Sequence, residues 1–130
     1  MKFVINVLSS STAPATRRAL RFAQTVLAEG HEIVRVFFYQ DGVLTASNNL
    51  VLAQDQTDIA QQWQAFINEN RLDAVVCIAA ALRRGVLDQA EAQRYQRDAV
   101  NLAQGYELSG LGQLHDGLQQ ADRVVSFGGE

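Results

Sequence analysis

Residues 74–86 read AVVCIAAALRRGV and contain the only cysteine of the 130-residue chain, Cys77. The β-branched run before Cys77 predicts a central strand. The small residues, two arginines and glycine that follow predict a loop at the carboxyl end of that strand. In open α/β sheets, ligands bind at the carboxyl ends of the strands. A thiol placed there would be shielded by the strand and reachable from the loop, so the reactivity of Cys77 is the main functional question.

The rest of the chain alternates strand patterns with helix patterns. The segments predicted as strands share continuous apolar or β-branched character, which is typical of strands buried on both faces; they are residues 3–8, 31–38, 72–79, 105–109 and 121–127. Amphipathic helical segments separate them throughout. This alternation predicts an α/β fold with a mainly parallel five-stranded sheet and helices on both faces. The sequence shows no domain boundary and no internal repeat, so we expect a single domain over residues 1–130.

Local signals indicate where the helices begin and end. Pro14 suits the first turn of the first helix, and Gly30 suits the position just after its last turn. Asp55 or Thr57 is predicted to cap the second helix. Asp88 is predicted to cap the helix that follows the two arginines, because an acidic residue stands three positions later, in capping-box spacing.

The composition excludes several classes of function. A formal net charge of -3 and a single lysine, Lys2, argue against a nucleic-acid-binding groove. No apolar run approaches the ~20 residues of a membrane span, and the start of the chain lacks the features of a signal peptide. One cysteine cannot form an internal disulfide, which suits a reducing cytoplasm. The chain has only two histidines besides this cysteine, and they are far apart in sequence, so no metal site is predicted.

Two interpretations of Cys77 stay open from the residues alone. Free cysteine is often an inert, buried small hydrophobe. Three features instead favour a reactive thiolate. They are the position of Cys77 at a strand end, the positive charge of Arg83 and Arg84, and the dipole of a following helix. A hydrolase would need a histidine base, but His31 is predicted at the opposite end of the sheet and His115 within the last helix. A lone thiol suits group transfer, such as a persulfide relay, better than internal disulfide exchange.

Two other segments carry weaker predictions. Residues 9–12 (SSST) follow the first strand, where phosphate loops occur, but they lack the glycines of nucleotide-binding motifs. We interpret them as a polar turn that caps the first helix. Residues 37–39 (FFY) supply apolar side chains to both faces of the sheet. If one face lacked a helix, this run would be exposed and would predict a stable oligomer.

Four motifs give the chain a resemblance to a known family, the DsrE/TusD-type sulfur-relay proteins. The block CIAAALRRGV around the single thiol, residues 77–86, is the most specific of them. The others are VFFY with the following GV at residues 36–39 and 42–43, LSGLG at 108–112, and DRVVSF at 122–127. The resemblance covers essentially the whole chain, and the DsrE branch is favoured over TusD.

This resemblance implies a three-layer α/β/α domain and an active-cysteine subunit of a heterohexamer that has two copies each of three related chains. The family cysteine, which matches Cys77, accepts a sulfane sulfur as a persulfide from a TusA-type donor. It then passes the sulfur to a carrier of the DsrC or TusE type. In the DsrE branch this serves dissimilatory sulfur oxidation in the cytoplasm, and in the TusD branch it serves 2-thiouridine synthesis in tRNA.

No metal, organic cofactor, membrane or direct nucleic-acid contact is implied by the resemblance. Stabilisation of the Cys77 thiolate or persulfide by Arg83 and Arg84 is a separate inference, made from their charge. The alternative function is a non-catalytic assembly or small-molecule-binding module in which Cys77 is simply buried.

Overall fold

One sheet of five strands organises the protein. The computed structural model describes residues 1–129, and every pairing between its strands is parallel. The strands are β1 (Lys2–Val7), β2 (Glu32–Phe38), β3 (Ala74–Cys77), β4 (Tyr106–Ser109) and β5 (Arg123–Phe127), and they lie side by side in the order β4-β3-β2-β1-β5. The predicted α/β fold with a five-stranded, mainly parallel sheet is confirmed.

Helices connect the strands, and their ends follow local signals. They are α1 (Pro14–Ala28), a 3-10 helix (Gln40–Ala46), α2 (Ile59–Asn70), α3 (Ile78–Arg83), α4 (Gln89–Arg94) and α5 (Gly112–Gln120). Gly30 follows α1 at φ 83°, a left-handed conformation that favours glycine. Asp88 accepts a hydrogen bond from the Glu91 N–H at 2.8 Å, as predicted. The cap of α2 was wrongly predicted: the helix begins later, so Asp58 caps it instead of Asp55 or Thr57.

The sheet is covered on both faces, which confirms the predicted layers. On β1, the ring of Phe3 packs against Phe22 of α1, with ring centroids 5.7 Å apart. Neighbouring residues on a strand point to opposite faces, and the next residue, Val4, lies against Gly117 of α5. Helix α5 packs on β1 and β2. Helix α1 therefore covers one face near β1, and α5 covers the other.

Two of the three residues in the aromatic run 37–39 are buried within the chain, and the third, Tyr39, is partly buried. Phe37 and Phe38 are both 0% exposed. Phe38 pairs in register with Val7 and packs against Trp63 of α2, so this side chain belongs to the α1 and α2 face. Phe37 points to the opposite face, where α5 lies. Because neither face lacks a helix, the expectation that Phe37 and Phe38 would be exposed is wrong.

Two local predictions near functional segments also need correction. Strand β3 ends at Cys77, and α3 begins at the next residue, whereas the strand was predicted to continue to residue 79 and then lead into a loop. The sequence IAAALR has high intrinsic helix propensity, which accounts for the difference. The loop at residues 9–12 does not cap α1, because the N-cap residue is Ala13 and no side chain makes a capping hydrogen bond there.

Candidate functional site

Cys77 is the last residue of β3 and the residue immediately before α3. Its strand position is opposite Ser109 of β4, so both side chains lie on the face of the sheet that α5 covers. The thiol makes no capping hydrogen bond to α3. The residue is only 2% exposed. The sequence correctly predicted that Cys77 lies at the carboxyl edge of the sheet. In the structure the residue is more enclosed than it would be beside the predicted loop.

A cleft of about 480 Å³ opens over Cys77 at this edge. Its walls come from the ends of three neighbouring strands. They are residues 39–40 after β2, residues 77–80 and 83–84 at the end of β3 and along α3, and residues 110–111 after β4. Tyr39, Ile78 and Leu111 supply its large apolar side chains. A reagent must therefore approach the thiol from the cleft, since the sheet closes the other side.

The two arginines predicted to act on the thiol both line this cleft, but they are not equivalent. The Arg84 Nε donates to Asp41 Oδ1 at 2.8 Å, and its Nη1 donates to the Ala80 carbonyl at 3.1 Å. Asp41 thus fixes Arg84 and offsets its charge. Arg83 is exposed and makes no hydrogen bond or ion pair within residues 1–129. The uncompensated positive charge at the cleft is that of Arg83.

A buried arginine anchors the helix that follows the cleft wall. Arg35 is 9% exposed, and its Nε donates to Asp73 Oδ2 at 2.8 Å. Its Nη1 donates to the Gln113 carbonyl at 2.7 Å and to Asp116 Oδ2 at 3.2 Å, both in α5. Burial lowers the pKa of Arg35, but the hydrogen bonds and charges of the two carboxylates outweigh it, and the net pKa is raised. Arg35 therefore stays charged and holds α5 to the sheet.

The two histidines are not part of the cleft. The Nδ1 atom of His31 lies 3.0 Å from the amino group of Met1, at the amino-terminal edge of the sheet. His115 is exposed on α5 and pairs with Gln119 at 3.0 Å. The protease-like arrangement is therefore not formed. No group of three or more potential metal ligands occurs within residues 1–129. No helix in that range has the length and apolar character needed to cross a bilayer.

Sequence reasoning missed the partners that shape the cleft. Asp41 was not singled out, and Tyr39 and Leu111 were noted only within motifs and not as residues of the site. Each of the three follows the carboxyl end of a strand or contacts a residue that does. Their positions after β2 and β4 carried the necessary signal, because parallel strands bring their carboxyl ends to the same edge. What the sequence lacked was the strand order, which makes β2 and β4 the two neighbours of β3.

Comparison with known proteins supports the resemblance drawn from the motifs. A family model described as "DsrE/DsrF-like family" matches residues 1–127. The chain belongs to this family. The chain is 58% identical over 130 residues to a sulfurtransferase TusD homolog of Pseudomonas aeruginosa, with 100% of this chain and 99% of that protein covered. It is 43% identical to a putative sulfurtransferase DsrE of Allochromatium vinosum, with 98% and 99% covered.

A solved structure supports the fold. The ychN protein from E. coli superposes with a TM-score of 0.75 at 18% identity, covering 98% of this chain and 100% of that one. Membership of the family and the sulfurtransferase names of its relatives indicate a role in sulfur transfer. Both names, TusD and DsrE, occur among relatives that match nearly the whole chain.

Proposed function

We propose that Cys77 accepts a sulfane sulfur as a persulfide and passes it to the thiol of a carrier protein. The observation that carries the proposal is the position of Cys77, the only thiol of the chain, in a cleft at the carboxyl edge of the sheet beside Arg83. The sulfurtransferase names of the relatives support the same chemistry.

The transfer consists of two thiol exchange steps. The Cys77 thiolate attacks the terminal sulfur of a donor persulfide, R–S–SH, and the donor's S–S bond breaks. The products are Cys77–S–SH and the donor thiolate, R–S⁻. The thiolate of an acceptor then attacks the outer sulfur, which restores the Cys77 thiolate and leaves the persulfide on the acceptor. Each step exchanges one S–S bond for another, so no external oxidant, metal or organic cofactor is needed.

The charges at the cleft suit this chemistry. Thiolates and persulfide anions are stabilised by nearby positive charge, and Arg83 supplies a charge that no ion pair within residues 1–129 offsets. Arg84 is held by Asp41 and shapes the cleft wall instead. Both predicted site residues therefore belong to the proposal, with Arg83 as the stabilising cation and Arg84 as a fixed wall.

The proposal extends to partners. The chain would work in the cytoplasm within a heterohexamer of three related subunits, take sulfur from a TusA-type donor, and pass it to a DsrC- or TusE-type acceptor. Dissimilatory sulfur oxidation is the setting that the resemblance to the DsrE branch implies. Sulfur relay for 2-thiouridine in tRNA is equally supported, since the relative at 58% identity is named a TusD homolog. Transfer of labelled sulfur from Cys77 to DsrC-type and TusE-type carriers, compared side by side, tests the choice.

A second candidate rests on the burial of the thiol. Because Cys77 is 2% exposed, the chain would instead be a non-catalytic assembly subunit whose cysteine only fills the core. The two candidates differ in whether Cys77 reacts in the folded protein.

The deciding experiment is intact-protein mass spectrometry after incubation with a small-molecule persulfide, with and without the partner subunits. We expect a gain of one sulfur atom, reversed by reductant. Cys77→Ser should show no gain, and because it removes the only thiol, every signal in the parent protein maps to one residue. Folding of the variant is checked by the fluorescence of Trp63, the single tryptophan. No gain even with partners present would favour the assembly subunit.

A further inference from the structure

A second depression, which we call the Arg97 groove, adjoins the Cys77 cleft. It has a volume of about 440 Å³ and is formed by the end of α3, the turn before α4 and the segment after α4. The residues that line it are Leu82, Arg83, Gly85, Leu87, Tyr95 and Arg97. Arg83 lines both depressions. We propose that this groove binds an apolar segment with an acidic residue on the carrier protein that takes sulfur from Cys77, a proposal that rests on the sulfur relay proposed above.

Hydrogen bonds hold the Arg97 groove in shape. The side chain of Asn101, a residue only 9% exposed, accepts from the Leu87 N–H at 2.8 Å and donates to the Gly85 carbonyl at 2.9 Å. On the other wall, Arg97 Nη1 donates to the Tyr95 carbonyl at 2.8 Å. A site that is already formed loses little conformational entropy when a partner binds.

The charges of the groove select an acidic partner. Arg83 and Arg97 are both exposed, and neither forms an ion pair within residues 1–129. The acidic groups of the α4 segment are engaged elsewhere, since Asp88 caps the helix and Glu91 lies 3.8 Å from Arg94. None of the six lining residues carries a carboxylate. Guanidinium groups without an ion-pair partner suit the carboxylate of another molecule, because their planar donors match its two oxygens.

Apolar side chains form the rest of the wall. Leu82 and Leu87 are half-buried, and Tyr95 is 48% exposed. Tyrosine and arginine are enriched in protein interfaces, where they supply much of the binding energy. A partner segment that combines apolar side chains with a carboxylate would therefore match both parts of the groove.

The groove lies within reach of the thiol. Helix α3 has six residues between Cys77 and its end at Arg83, which corresponds to about 9 Å of helix. Three residues of extended chain span about 10 Å. A carrier whose acidic residue sits in the groove could thus present a cysteine about three residues away to Cys77. A small persulfide would fill only the Cys77 cleft, so the adjoining groove favours a protein as its occupant.

The test measures how sulfur transfer depends on the concentration of the carrier. DsrC-type and TusE-type carriers are the probes, and the full chain is assayed together with its partner subunits. Arg97→Gln should raise the concentration for half-maximal transfer about tenfold, as for loss of a hydrogen bond to a charged group, and leave the maximal rate unchanged. Tyr95→Ser should act in the same direction. Arg94→Gln is the matched control, because it removes the same charge from an exposed side chain outside the groove.

A second measurement separates binding from chemistry. Calorimetric titration of Cys77→Ser with each carrier follows binding when no sulfur can move. Adding Arg97→Gln to this variant should weaken binding about tenfold, which matches the shift expected in the transfer assay. Failure of sulfur transfer in the parent protein would overturn the relay, and the titration would still report on the groove.

Four results would overturn the proposal. The first is that neither carrier binds the parent protein. The second is an equal effect of Arg97→Gln and Arg94→Gln, because the effect would then be one of general charge. The third is slower transfer from Arg97→Gln to 2-mercaptoethanol, a small neutral acceptor, since Arg97 would then act on the reaction itself. The fourth is a change in self-association of the chain in Tyr95→Ser, which would assign the groove to a second copy.

Discussion

Replacing Arg35 by methionine should loosen the helix next to the Cys77 cleft. Arg35 is 9% exposed and joins β2 to Asp73 and to two positions of α5. Methionine keeps most of the apolar stem and removes every donor. The variant therefore isolates the contribution of the guanidinium from that of side-chain packing.

The expected loss follows from the contacts. The hydrogen bond from the buried guanidinium to the Gln113 carbonyl is worth about 1.5–3 kcal/mol, as for other bonds to charged groups. The ion pairs count for less, because the Asp73 and Asp116 side chains are 43% and 56% exposed; each contributes about 0.5 kcal/mol. The buried methionine recovers about 1 kcal/mol. We expect the free energy of unfolding to fall by about 2 kcal/mol.

The assay is urea unfolding followed by the fluorescence of Trp63, which is 0% exposed and belongs to α2, on the other face of the sheet. Arg123→Met is the control, because Arg123 is exposed and its guanidinium donates to the neighbouring Asp122 carbonyl. It should change stability by less than about 0.5 kcal/mol. If Arg35→Met behaved like this control, Arg35 would not anchor α5.

The same variant links stability to the site. If α5 shields Cys77, partial release of α5 should speed the reaction of the folded protein with a small neutral thiol reagent. A lower stability with an unchanged reaction rate would show that the cleft walls do not depend on α5.

Three further predictions concern single positions. Burial raises the pKa of Tyr106, so the buried neutral phenol contributes stability that is present below about pH 10 and is lost as the pH rises further; Tyr106→Phe should flatten this alkaline loss of stability in urea titrations. Gly42→Ala should cost about 3 kcal/mol, because its Cβ would overlap the backbone carbonyl of Val7. Arg83→Gln should slow modification of Cys77 by a negatively charged thiol reagent more than Arg84→Gln does, since Asp41 already offsets Arg84.

Each of these has a matched comparison. Tyr95→Phe, at a tyrosine 48% exposed, should leave the alkaline limb unchanged. Gly110→Ala should be tolerated, because a Cβ there meets nothing within 4 Å. For the arginines, a neutral reagent should show little difference between the variants. Equal slowing by both arginine variants with the charged reagent would contradict the unequal roles assigned to them.

The strands were predictable because each is a short apolar run between clear helix signals. Their order was not. The chain adds β2, β3 and β4 on one side of β1, then returns across the sheet so that β5 lies on the other side. That return places α5 on the second face and buries Phe37. The sequence pattern shows that residues 37–39 offer apolar groups to both faces, but it does not say which connection covers the second one.

The site was predictable in part for a similar reason. Cys77 and its arginines were found because a lone thiol at a strand end is a local signal. The distinction between Arg83 and Arg84 depends on Asp41, which lies far away in sequence and meets Arg84 only because β2 and β3 are neighbours. The four hydroxyl residues at positions 9–12 predicted a cap for α1, but Ala13 occupies the N-cap position without a side-chain hydrogen bond. The conformation of that loop could not be read from the sequence.

The place of β1 between β2 and β5 has a consequence for synthesis on the ribosome. Lys2 donates its N–H to Asp122, a residue 120 positions away, and β1 pairs with β5 up to the contact of Val7 with Phe127. A nascent chain can assemble β1 to β4 while β1 still presents an unpaired edge. Such edges recruit other chains, and distant pairings form slowly. The nascent chain therefore passes through a stage in which the edge of β1 is exposed. Either rapid pairing with β5 or binding of a chaperone would protect that edge.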